Sequence, residues 1–143
     1  MSTLNAATED AAIALAFPEL RCVFGGSEAI VPDVVVFKWA RIPFTEAGMI
    51  PHKFELAPDW AIEIVSPDQS QTRLIEKLTH CLQHGTEVGW LIDPGEFAVT
   101  VFQPRQMVKV LRGDTQLPMP SGIPLELTVN TVFRWLRVGR RLQ

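Results

Sequence analysis

Glu63 lies in the middle of an apolar run, Trp60-Ala61-Ile62-Glu63-Ile64-Val65. In a strand, alternation puts Trp60, Ile62 and Ile64 on one face and Ala61, Glu63 and Val65 on the other, so an acid stands where both faces are apolar. A buried, unpartnered carboxylate costs several kcal/mol or takes up a proton. Glu63 therefore needs a metal ion, a hydrogen-bond network or a nearby Arg or Lys, and the run alone does not choose among them. Asp33 follows Pro32 inside a second β-branched run, residues 30–37, where a lone Asp is also an ordinary turn residue. Adjacent strands would bring both carboxylates onto one hard cation of the Mg²⁺ kind, which prefers oxygen ligands. Lys77 borders a helical stripe of Leu74, Leu78 and Cys81. Its stem can run along a sheet and place the ammonium near the acids, or it can be a solvated lysine on the helix flank.

Other chemistry has less support. His80 and His84 have the i, i+4 spacing of a zinc pair, but no Glu follows His80 and both lie off the apolar stripe, which reads as surface. Ser66 is in no Gly-x-Ser-x-Gly context, and there is neither a Walker loop nor a dinucleotide fingerprint. Cys22 and Cys81 lack CxxC spacing and read as reduced cytosolic thiols. Arg134, Arg137, Arg140 and Arg141 form a local basic cluster, suited to phosphates or simply to a solvated helix end.

The elements that must position these residues follow from periodicity. Residues 8–16 are Ala-rich and predict a short helix limited by Pro18. Residues 21–24 and 30–37 read as strands, and 39–57, with Pro43, Gly48 and Pro51, as a surface loop. The run 60–65 predicts a strand covered on both faces. Residues 70–84 predict a helix, with Leu74, Ile75, Leu78, Cys81 and Leu82 as its stripe and Gly85 as its stop. Strands follow at 88–92 and 97–102, joined by the turn Asp93-Pro94-Gly95, with 107–111 as a possible extension. Residues 113–124 read as irregular, and 129–138 as an amphipathic helix capped by Thr128 or Asn130.

At 143 residues the chain fits a single domain, 1–143. Hydrophobic residues at 47% and charged residues at 20% are those of a globular protein. No basic segment followed by an apolar run opens it, and no stretch suits a membrane span, so the expectation is a cytoplasmic protein with no membrane partner. A net charge of -3 gives no global attraction for nucleic acid. A nucleic-acid role then requires a local basic surface or a metal.

The segments Val31-Pro32-Asp33-Val34-Val35-Val36, Pro58-Asp59-Trp60-Ala61-Ile62-Glu63-Ile64-Val65-Ser66-Pro67, Glu76-Lys77-Leu78, Gly85 and Gly89-Trp90-Leu91-Ile92-Asp93-Pro94 carry a resemblance in their order and spacing. They resemble the Uma-two family of restriction-endonuclease-like proteins, within the PD-(D/E)xK nuclease superfamily. The resemblance implies an α/β, restriction-endonuclease-like fold, a mixed central β-sheet flanked by α-helices. It also implies a DNA endonuclease using Mg²⁺ or Mn²⁺, held by Asp33, Glu63 and the backbone carbonyl of Ile64, with Asp33, Glu63 and Lys77 as catalytic residues. The lysine usual two residues after the second acid is absent, Val65 standing there, and Lys77 matches a lysine supplied by the following helix. The family's helical lead-in is also shortened, with about thirty residues before Asp33. An assisting acid would come from Glu9, Glu19 or Glu28. A homodimer, supported by Phe133, Trp135 and Trp90, would let such a protein meet two DNA strands. The competing expectation is a catalytically inactive binding or assembly domain on the same scaffold, consistent with the acidic pI, Val65 and the short N-terminal part.

Overall fold

The structure, a computed structural model, describes residues 4, 5, 12–26 and 29–141, with backbone only for 138–141. Its strands are β1 (Ala14–Pro18), β2 (Arg21–Cys22), β3 (Val34–Lys38), β4 (Lys53–Phe54), β5 (Trp60–Ile64), β6 (Val88–Asp93), β7 (Ala98–Phe102) and β8 (Lys109–Arg112). Among the described residues the helices are α1 (Gln71–Gln83) and α2 (Val129–Arg141), with a 3-10 turn at Trp39–Arg41, and Leu4 and Asn5 are also helical. Six strands make one mixed sheet in the order β1-β3-β5-β6-β7-β8, and β2 and β4 form a small parallel pair beside it.

Within the sheet only β5 and β6 run parallel; the other neighbours are antiparallel. A parallel pair needs a crossover, and α1 supplies it. Ser70 caps that helix by accepting the Arg73 amide on its side chain. At the other end Gly85 takes φ +110, a conformation that L side chains rarely adopt, and the Thr86 amide folds back to the Cys81 carbonyl at 3.1 Å.

Alternation sorts the core into two layers. Val36, Trp60, Ile62, Trp90 and Ile92 pack with Val129, Val132 and Phe133 of α2. Val35, Phe37, Ala61 and Leu91 pack with Leu74, Leu78 and Cys81 of α1. The helices thus cover opposite faces of the sheet. Gly89 lets α1 sit close: a Cβ there would meet the Leu78 Cδ2 at 3.3 Å.

Several expectations need correction. Residues 14–16 are extended rather than helical, because β1 pairs along its whole length with β3, from Ala14↔Lys38 to Pro18↔Val34; residues 8–11 lie outside the described residues. The loop 39–57 contains a 3-10 turn and β4, since Phe54 is buried against Phe37 and Phe17. Ile75 is exposed rather than part of the buried stripe. Phe133 and Trp90 are buried in the chain's own core, which leaves them unavailable for a subunit contact, and Trp135 packs partly against the same layer.

Candidate active site

Two strands of the central sheet open with the same dipeptide, Pro32-Asp33 before β3 and Pro58-Asp59 before β5. The strands are antiparallel, so each aspartate stands beside the far end of the other strand. Asp33 Oδ2 accepts the Ile64 amide at 2.7 Å, and Asp59 Oδ2 accepts the Lys38 amide at 2.7 Å. Each carboxylate therefore closes the backbone ladder where the partner strand stops, satisfying an amide that would otherwise be stranded. The two ends then differ. Asp59 is buried and its second oxygen meets Arg41 at 2.8 Å, a neutralised structural pair.

Around Asp33 the charges are arranged otherwise. The last ladder pair on that side is Val34↔Ile62, and one further step of the register sets Asp33 opposite Glu63. Residues so placed share a face, here the α1 face with Val35 and Ala61. Glu63 is fully buried, at 0% exposure. From α1, Lys77 reaches its Oε1 at 2.9 Å while donating to the Val31 carbonyl at 3.1 Å. Glu63 Oε2 is buried with no hydrogen-bond partner.

Burial pushes the Glu63 carboxyl up from 4.5 to about 7; Lys77 pulls it down by hydrogen bond and charge, and the Asp33 carboxylate raises it again. One ammonium thus leaves the pair of acids undercompensated. The orphaned Oε2, the opposed Asp33 and the oxygen-only donor set suit a hard divalent cation. Asp33, Glu63 and the Ile64 carbonyl are the groups that would hold it; the Ile64 amide is already engaged by Asp33. Among the described residues no cluster of three His, Cys, Asp or Glu side chains offers an all-side-chain site, so an ion bound here would need a backbone oxygen and solvent or substrate to complete its shell, as is usual for Mg²⁺.

The remaining candidates fall elsewhere. Glu19 is exposed, and it is its amide that approaches Asp33, donating to the backbone carbonyl at 3.1 Å. Glu9 and Glu28 lie outside the described residues. His80 is half-buried rather than on the surface, stacked on Phe24 at 5.0 Å between ring centroids, and His84 meets the same ring at 5.4 Å. Cys22 and Cys81 are free and buried; burial lifts both thiols to about 12, so neither is a nucleophile near neutrality. Arg134 and Arg137 are exposed on α2, and the side chains of Arg140 and Arg141 lie outside the described residues. Sequence reasoning missed Asp59 and its partner Arg41; the repeated Pro-Asp dipeptide was the available signal.

No helix among the described residues is long and apolar enough to cross a membrane. No curated protein matches the chain. A solved structure from Anabaena variabilis ATCC 29413, titled a "putative nuclease belonging to DUF820", superposes with a TM-score of 0.88 at 48% identity, over 94% of this chain and 76% of that one. The mixed sheet with flanking helices is therefore the fold of that nuclease-type neighbour. The family model Uma2, described as "Putative restriction endonuclease", matches residues 1–132, and the chain belongs to that family.

Proposed function

We propose that this chain is a divalent-metal-dependent endonuclease that hydrolyses phosphodiester bonds in DNA, with its active site at Asp33, Glu63 and Lys77. The observation that carries the reading is the buried Glu63 carboxylate, opposite Asp33, with one oxygen on Lys77 and the other without a donor. Family membership and the nuclease-titled neighbour support the same reaction class.

Asp33, Glu63 and the carbonyl of Ile64 would hold Mg²⁺ or Mn²⁺, which supplies an activated water and neutralises phosphate oxygens when bound. Asp33 is aimed by the Ile64 amide, and Glu63 by the rigid ladder between β5 and β6. Lys77 is held at the site edge by Glu63 and the Val31 carbonyl, placed to stabilise charge developing on the phosphate. This lysine comes from the crossover helix because Val65 occupies the strand position two residues after Glu63. The reading carries with it a single domain, a cytoplasmic location and a homodimer for two-strand cleavage.

The same ion pair favours one alternative. Lys77 already gives Glu63 a cation, so a catalytically inactive binding or assembly domain would be stable with that pair alone. Plasmid DNA incubated with Mg²⁺ or Mn²⁺ separates the two. The nuclease reading expects nicked and linear products from the wild type and none from Asp33→Ala or Glu63→Ala proteins; equal products from all three would remove this site from the reaction.

A further inference from the structure

We propose that Arg73 is a second phosphate contact on the DNA track leading into the site, an inference that rests on the nuclease reading and extends it beyond the metal centre. A surface groove beside Lys77 is lined by Asp68, Gln69, Ser70, Arg73, Leu74 and Lys77. Lys77 belongs both to this groove and to the Glu63 ion pair. The groove therefore reaches the lysine that holds Glu63, although neither acid lines it.

Arg73 and Lys77 stand four residues apart on α1, on one face and about 6 Å apart along the axis. Two cations so spaced suit neighbouring phosphates of one strand, which advance about 3.4 Å along the duplex axis per step while turning around it. The charge on Arg73 is also unspent. Its amide is engaged with Ser70, but among the described residues its guanidinium forms no ion pair, while Arg41 and Arg112 are paired with Asp59 and Glu96. Asp68 lines the same groove without forming an ion pair with Arg73. An anion entering the groove meets a planar five-donor group that needs no prior bond broken.

The test is binding of a 20-base-pair duplex at several salt concentrations, by fluorescence anisotropy, with cleavage blocked by Glu63→Gln. Adding Arg73→Ala should lower the slope of log affinity against log salt by about 0.9, which is about an eightfold loss of affinity at 0.1 M salt. Arg73→Lys should restore the slope. Arg73 is exposed and alanine is the best helix former, so the variant should fold. An unchanged slope in Arg73→Ala overturns the inference while leaving the nuclease reading intact. Wild-type cleavage by the Glu63→Gln protein overturns the reading of the site instead, and absence of duplex binding overturns both.

Discussion

Asp33 stands opposite Glu63 across the β3–β5 ladder, and among the described residues one ammonium, that of Lys77, pairs with these acids. Removing it should expose the imbalance. Lys77→Met is expected to lower DNA cleavage about 100- to 1000-fold, the usual loss when one stabilising donor is taken from a developing charge. It should leave the ability to take up Mn²⁺, because the oxygen ligands remain. Cleavage rates beside calorimetric titrations check both parts.

The acids also set a pH dependence. Glu63 is raised from 4.5 to about 7, first by burial. Between those values the folded protein holds a proton that the unfolded chain has lost, so stability falls as pH rises. The contribution is fully present below about 4.5 and gone above about 7, with a ceiling of roughly 3 kcal/mol. Metal-free wild-type protein should therefore lose stability from pH 5 to pH 7.5 relative to Glu63→Gln, measured by urea denaturation. Mn²⁺ should restore stability mainly at the upper end, where the ionised carboxylate is the ligand.

The two Pro-Asp corners predict opposite phenotypes. Asp59→Ala removes the acceptor of the Lys38 amide and the partner of Arg41, at a cost of about 2 kcal/mol of stability, with Mn²⁺ uptake unchanged. Asp33→Asn keeps an oxygen for the Ile64 amide but loses the charge, so it should fold well and fail to take up the ion. Chemical denaturation and titration of both variants give the comparison.

Gly85 is a purely structural case. Because it ends α1 at φ +110, Gly85→Ala should cost about 1 kcal/mol or more. The midpoint of urea unfolding should drop with its slope unchanged.

Much of this arrangement could be read from residue order, for identifiable reasons. The apolar run around Glu63 announced β5 by its shortness and its β-branched and aromatic residues, and the stripe of Leu74, Leu78 and Cys81 announced α1 by its helical spacing. Residues 14–16 misled, since alanine favours helix and only the tertiary pairing with β3 draws them into extended form. Asp33 and Asp59 carry the same local signal. What separates them is that Arg41 folds back onto one and Lys77 lies near the other, a property of the crossover and the 3-10 turn that spacing does not contain. The stacking of His80 on Phe24 escaped for a similar reason, as Phe24 lies just after the short β2, far away in the chain.

Calorimetric titration of the metal-free protein with Mn²⁺ at pH 8 tests the shared-ion site most directly. The wild type should bind one ion per chain, and Asp33→Asn and Glu63→Gln should each abolish the heat of binding while keeping the folded spectrum. Uptake by both variants equal to the wild type would contradict it, leaving Lys77 as the only cation this pair of acids needs.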